Sequence, residues 1–303
     1  MKLTSIISVN FNQPEVTLAF LQSVKDNTIG IPIELILVDN GSKEDNGPRF
    51  LAAYPELIYL RSEQNLGFAG GNNMGIKIAK GEFLLLLNND TEISPNLITV
   101  LTETMEQDQE IGIISPLILY YDQPDIIQYA GFTEMNYLTA RNRGIGNMEK
   151  NEGQFDLDSR ETGFCHGAAM MCRRKDLNHV GQMAENYFLY YEELDWCEQF
   201  KRAGKKIWFC GKTKIYHKES ISVGKESSIK TYFMTRNRML FIRRNTSFLN
   251  LLLFSCFYIG VACPKQIFIY LKKGRTDLIK WVFRGIMWNF SHSKSSENLG
   301  FKI

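Results

Sequence analysis

The chain has 303 residues, enough for one large domain or a domain with an appendage, and its 44% hydrophobic and 22% charged residues are ordinary for a folded soluble protein. No repeat or low-complexity segment is present. The net charge of +2 hides an asymmetry: from Arg236 onward twelve Lys and Arg face only Asp277 and Glu297, so the tail carries +10 and the remainder −8. Basic residues in that tail alternate with apolar runs, which suits a membrane surface, and no nucleic acid partner is expected.

Taken in chain order, residues 5–11, 33–40, 57–61 and 82–87 read as strands, with helical stretches at 14–27, 46–53 and 72–80 between them. Alternating strands and helices predict an α/β chain built on a mostly parallel sheet with right-handed crossovers. A helix at 95–107 and a strand at 111–115 follow, and 120–162 reads as loops with short strands. Residues 163–173, "GFCHGAAMMCR", resume buried structure, and a helix over 192–203 ends at Gly204 before a further strand. Six cysteines (165, 172, 197, 210, 256 and 263) have no zinc-ligand spacing, and the start "MKLTSIISVNF" carries no cleavable apolar signal, so reduced thiols in the cytoplasm are expected.

The strand ends carry the chemistry. Asn10 and Asn12 follow the first, Asp39 and Asn40 the second, Asn65 the third, and Asn88 to Asp90 the fourth. Ligands of such sheets bind at the carboxyl ends of the strands, where one polar end is a turn but four in succession form the floor of a polar pocket. Asp39 can accept from a base or sugar hydroxyls. In "NLGFAGGNNMG", residues 65–75, the glycines permit close backbone approach to a ligand, and Asn72 reads as a helix N-cap. The first strand-to-helix turn, "VNFNQPE", has no glycine, which excludes a dinucleotide fingerprint, and Lys206 excludes a P-loop at "GKT". Glu192, Glu193 and Asp195 open a helix after the aromatic run Tyr187, Phe188, Tyr190 and Tyr191, where an apolar setting raises a carboxyl toward the working range of a general base. His217, beside Asp90, would complete an oxygen and nitrogen metal site.

Together, "SIISVNFN", "LVDNGS", "NLGFAGGNNMGIKIAKGEFLLLLNNDTEISP", "GAAMMCRR", "FLYYEELDWCEQFKRAGKKI", "IYHKESISVG" and "YFMTRNRMLFIRR" resemble the glycosyltransferase family 2 enzymes, particularly the rhamnosyltransferase-like branch of bacterial cell-surface polysaccharide synthesis. The resemblance implies a GT-A fold that binds a nucleotide sugar (a dTDP- or UDP-sugar) with Mg2+ or Mn2+, and an inverting transfer to a growing glycan or a polyprenyl-diphosphate-linked acceptor. It puts Asp39 on the nucleotide, Gly67, Gly70, Asn72 and Asn73 along the nucleotide-sugar loop, and Asn88 and Asp90 at the family's Asp-x-Asp position. Asn88 replaces the first Asp there, which leaves Asp90 and His217 as metal ligands. The acidic pair reads Glu192-Glu193 where Glu-Asp is usual, and Glu193 is the expected base. Arg236 is expected to add to a pyrophosphate clamp. A nucleotide-sugar-binding protein without catalysis and a sugar nucleotidyltransferase are the alternatives.

The expected division is a catalytic domain over 1–235 and a helical extension over 236–303. In the latter, residues 248–263 form an almost uncharged sixteen-residue run ended by Pro264 and Lys265, short of a membrane span and suited to an interfacial helix at the cytoplasmic face of a membrane.

Overall fold

Strands that read as unbroken apolar runs form the centre of the sheet, because only a sheet covered on both faces accepts them. A computed structural model describes residues 2–219 and 226–302, so the end of the "IYHKESISVG" segment lies outside the described residues. In chain order the elements are β1 (Thr4–Asn10), α1 (Pro14–Asn27), β2 (Ile33–Asn40), α2 (Gly47–Ala53), β3 (Ile58–Ser62), α3 (Gly67–Ile78), β4 (Phe83–Leu87), β5 (Thr91–Ile93), α4 (Leu97–Gln107) and β6 (Ile111–Tyr120). They continue with β7 (Ile127–Tyr129), β8 (Ser159–Glu161), β9 (Ala169–Arg173), α5 (Leu177–Val180), α6 (Glu192–Arg202), β10 (Lys206–His217), α7 (Ser228–Asn245), α8 (Phe248–Phe257), α9 (Cys263–Lys272) and α10 (Ile279–Ser291).

The sheet runs β3-β2-β1-β4-β9-β6-β10-β5, with β7 on β6 and β8 on β10. Its first four strands are parallel, and β9 runs antiparallel between β4 and β6. The parallel strands therefore end at one rim. Antiparallel β9 begins at that rim, with Ala169 opposite Leu87. His217, the last residue of β10, pairs with Thr91 beside Asp90. The expected strands and helices are present within a residue or two, apart from β6, which runs on past residue 115 to Tyr120, and one helix. Helix α3 begins at Gly67 and not at residue 72, because the glycines that read as a loop form its packing face: a Cβ on Gly75 would lie 2.5 Å from Ile7 Cγ2, and one on Gly71 2.9 Å from Val9 Cγ1. Asn72 is thus inside the helix and not its cap.

Helix α7 runs unbroken through residues 235 and 236 and packs against α10 where Gly285 lets the axes approach. Helices α8 and α9 are joined by a π turn, Tyr258–Ala262. Pro264 supplies no N–H to the preceding turn, and the wider π turn absorbs that loss without ending the helix. The apolar segment is therefore a continuous helix, Phe248–Lys272, of 25 residues and not a sixteen-residue run. At about 1.5 Å per residue it is long enough to cross a hydrocarbon core, by length and composition alone. Most of it is exposed, including Phe248, Leu249, Leu252, Leu253, Val261, Phe268 and Leu271.

Candidate active site

A cavity of about 560 Å³ opens at the rim where the parallel strands end. Asn40 and Asn65 stand on one side of it, Asn88, Asp90 and His217 on its floor, and Glu192 and Glu193 on another wall. Asn40 holds the β2 and β3 ends together, donating from Nδ2 to Asn65 Oδ1 (3.1 Å) and Gly67 O (3.0 Å) and accepting the Leu66 N–H at 2.9 Å.

Asp90 Oδ1 and His217 Nε2 are 3.1 Å apart. Both atoms are buried, and neither has a hydrogen-bond partner, because the geometry between them is wrong for one. Gln128 Oε1 accepts from His217 Nδ1 at 2.9 Å, which in the neutral ring puts the lone pair on Nε2. A carboxylate oxygen and an imidazole nitrogen that converge without a hydrogen bond between them are a donor set suited to a divalent cation. The residues present therefore fit a divalent cation, and the mixed oxygen and nitrogen set suits Mn2+ better than Mg2+. Among the described residues no cluster of three or more His, Cys, Asp or Glu side chains exists, so a cation held here would take its further ligands from other groups, such as substrate phosphates and water. His166 lies on the same floor, its ring 5.9 Å from that of His217. Burial, and then the neighbouring His217, push its pKa down to about 3. The neutral ring accepts the Ala168 N–H on Nδ1 (3.1 Å), which leaves an N–H on Nε2. The sequence reading passed over His166, although it stands in "CHGAAMM" directly before β9.

The opposite wall rests on a strained turn. Phe188 has φ 65° and ψ −53°, and the Leu189 N–H reaches back to Tyr187 O at 2.8 Å, a γ-turn of the rare positive-φ kind. Tyr190 and Tyr191 follow at φ 71° and 76°. Three such residues cost on the order of 1–3 kcal/mol each unless their surroundings hold them. Helix α7 does so: Asn237 Nδ2 donates to Tyr187 O (2.9 Å), Leu189 O (2.7 Å) and Tyr190 O (2.9 Å), and Arg236 donates to Asn186 O and Tyr187 O. Gly67, at φ 72°, completes the fit, because a Cβ there would lie 2.1 Å from Phe188 O. Burial pushes the Glu192 carboxyl well up, Glu193 beside it adds to the rise, and burial raises Glu193 as well. Glu192 Oε2 is buried without a hydrogen bond.

Asn65, Gly67, Asn88, Asp90, Glu192, Glu193 and His217 thus share one cavity, whereas other expected site residues lie off its walls. Asp39 is fully buried and accepts from Asn10 (2.9 Å), Ser42 and Tyr59, with Arg61 at 3.4 Å. Asn12 links two loops through Ser42 and Lys43. A Cβ on Gly70 would meet Leu66, the Asn72 amide donates to Phe68 O, and Asn73 ties α3 to Met183 and Glu185. The expectations for Arg236 and Asp195 are corrected. Arg236 is sandwiched between the Phe233 and Trp288 rings, each 4.7 Å from its guanidinium carbon, and caps backbone carbonyls instead of facing the cavity. Asp195 accepts from Tyr187, Gln199, Arg244 and Asn245 and is fully buried, so it is a structural anchor for α6.

The glycosyl transferase family 2 model matches residues 5–181. The chain belongs to glycosyl transferase family 2. It is 30% identical over 241 residues to a low-salt glycan biosynthesis hexosyltransferase, Agl10, of Haloferax volcanii, covering 78% of this chain and 74% of that one. It is 23% identical over 216 residues to an N-acetylglucosaminyl-diphospho-decaprenol L-rhamnosyltransferase of Mycobacterium tuberculosis, covering 64% and 69%. Its fold is similar to a crystal structure of GalNAc-T7 with UDP, GalNAc and Mn2+ (TM-score 0.69, 17% identity), over 96% of this chain and 57% of that one. A mannosyltransferase of Pyrobaculum calidifontis in complex with GDP-Man and Mn2+ is similar at TM-score 0.57 and 10% identity, over 95% and 86%. The family 2 chain is a glycosyltransferase with the GT-A fold.

In this glycosyltransferase, Asn237→Ala takes a donor from Leu189 O and Tyr190 O and leaves Tyr187 O to Leu189 and Arg236, and should lower the free energy of unfolding by about 2 kcal/mol, read by urea denaturation; an unchanged midpoint would contradict the clamp. Glu192 holds its proton to higher pH folded than unfolded, so ionising it costs stability once pH rises past the ordinary glutamate range. Glu192→Gln should therefore melt above the wild type at pH 8, with the difference closing as pH falls to about 4.5. A wild type more stable than the variant at pH 8 would refute that assignment.

Proposed function

We propose that this chain transfers a hexose from a nucleoside diphosphate donor to a hydroxyl of a growing glycan, in one displacement with inversion. The observation that carries this reading is the convergence of two unpaired metal-ligand atoms, on Asp90 and His217, in the same cavity as the raised Glu192-Glu193 pair. Asn40, Asn65 and Gly67 line the side where the donor lies, and Asp39 shapes the strand ends beneath it. Asp90 and His217 would hold Mn2+ or Mg2+, which supplies positive charge for the diphosphate that leaves.

Glu193 is the base. Burial and the charge of Glu193 favour the protonated form of Glu192, so the pair works with Glu192 neutral and Glu193 ionised. Glu193 takes the proton of the acceptor hydroxyl as that oxygen bonds to the anomeric carbon. The bond from that carbon to the diphosphate oxygen breaks on the opposite face, and its electron pair leaves with the nucleotide. The neutral His166 offers an N–H to the polar groups of the bound sugar. The name of the mycobacterial relative supports rhamnose as the transferred sugar and a lipid-diphosphate-linked acceptor; dTDP-rhamnose is the donor we favour, with UDP-sugars next. The exposed apolar face of the 248–272 helix, flanked by Lys265, Lys272, Lys273 and Arg275, supports contact with an anionic membrane surface on the cytoplasmic side.

Glu193→Gln should abolish transfer while nucleotide diphosphate still binds, and Asp90→Asn should lose the metal-dependent part of that binding, both read by calorimetric titration beside a turnover assay. Full turnover by Glu193→Gln, or an unchanged metal titration for Asp90→Asn, would overturn the respective role. Leu252→Asp together with Phe268→Asp should release the protein from phosphatidylglycerol vesicles that sediment the wild type at low salt; a wild type that stays in the supernatant would refute the membrane contact.

A further inference from the structure

A second cavity, of about 360 Å³, lies between α7, α9 and the loop that carries Arg141. Four basic side chains, Arg141, Lys230, Arg238 and Lys265, line it together with one carboxylate, Glu226. That carboxylate is already engaged by Lys273 and, at 3.8 Å, by Arg275. Among the described residues the four cations have no ion pair. Arg238 Nε is buried without a hydrogen-bond partner, while its Nη2 donates to Thr139 O at 2.8 Å. Four like charges around one concavity repel one another, and an anion removes that cost.

The location narrows the anion. Lys230 Nζ lies 6.0 Å from the Tyr190 ring, and Tyr190 lines the active-site cavity two residues before Glu192. Lys230 therefore reaches from the cationic cavity toward the wall that carries the proposed base. Lys265 is four residues after Val261 and three before Phe268, so it stands on the same stripe of the helix as these two exposed apolar residues. A molecule with a charged head in the cavity and a hydrocarbon chain along that stripe would meet both surfaces at once.

We propose that this cavity is the subsite for the diphosphate of a lipid-linked acceptor, with Arg141, Lys230, Arg238 and Lys265 on the phosphates and the chain along Val261 and Phe268. The proposal rests on the glycosyltransferase reading above, and it places the acceptor sugar next to Glu193 because the diphosphate is held beside Tyr190.

The probe is farnesyl diphosphate, titrated against the full chain in neutral detergent with EDTA, so that the Asp90 and His217 pair takes no part, with thermal stability as the readout. Saturable stabilisation by farnesyl diphosphate and none by farnesol is expected. Lys230→Gln with Lys265→Gln should raise the half-saturating concentration by about tenfold or more, since charge-assisted contacts are lost. Neither ammonium carries an ion pair among the described residues, so this variant keeps the fold. Asp90→Asn should bind the probe as the wild type does, and the double lysine variant should keep the metal-dependent response to nucleoside diphosphates. Equal binding by wild type and lysine variant, loss of binding with Asp90→Asn, or equally effective competition by phosphatidylglycerol vesicles would overturn the proposal. Farnesyl diphosphate binding that survives alongside absent sugar transfer would instead locate the failure in the catalytic reading and leave the phosphate site standing.

Discussion

The turn over residues 186–191 does not hold its shape by its own preferences, and the cavity wall that carries Glu192 and Glu193 depends on what holds it. Three consecutive or near-consecutive positive-φ residues with large aromatic side chains are worth several kcal/mol of strain. A single side-chain amide, on Asn237, and the guanidinium next to it supply donors to four of the turn's six carbonyls, those of Asn186, Tyr187, Leu189 and Tyr190. The donors sit on one helix face and the helix is pinned by α10, so the strain is opposed by rigid structure and not by another loop. Glu192 and Glu193 follow at once as the first residues of α6 and inherit their positions from the turn.

This arrangement also ties the C-terminal helices to one wall of the cavity. Arg236 could not remain a buried cation without the Trp288 ring of α10, the Phe233 ring and the carbonyls it caps. Asn289 of α10 closes the contact by donating to Arg236 O at 3.0 Å. The chain beyond residue 245 thus supports the turn before Glu192 and Glu193 from behind, and its other faces carry exposed apolar and basic residues. Across the cavity the logic is the reverse. Asp90 and His217 converge at 3.1 Å with no hydrogen bond between them and no rigid donor opposing either atom.

Much of this was legible in the residues. The unbroken apolar strands and the polar residue at each strand end predicted the sheet and its rim, because burial on both faces and display at the carboxyl edge leave local marks. Asp90, His217 and the glutamate pair lay within such marks. What escaped was settled by tertiary contact. The glycines of α3 read as a loop because their service to packing against Ile7 and Val9 cannot be seen in their own segment. Arg236 read as a phosphate ligand because the rings that enclose it include one some fifty residues away. Asp195 read as catalytic because Arg244, which pairs with it, is equally remote. Gln128, which sets the His217 tautomer, comes from the 120–162 region, where short strands leave no periodicity to follow.

The central claim is that Asp90 and His217 share a divalent cation at the diphosphate of the donor. Crystals grown with Mn2+ and a nucleoside diphosphate, with data collected at a wavelength where manganese scatters anomalously, test it directly. The account predicts an anomalous peak in contact with Asp90 Oδ1, His217 Nε2 and a phosphate oxygen. Bound nucleotide with manganese elsewhere, or with no manganese at that pair, would contradict it.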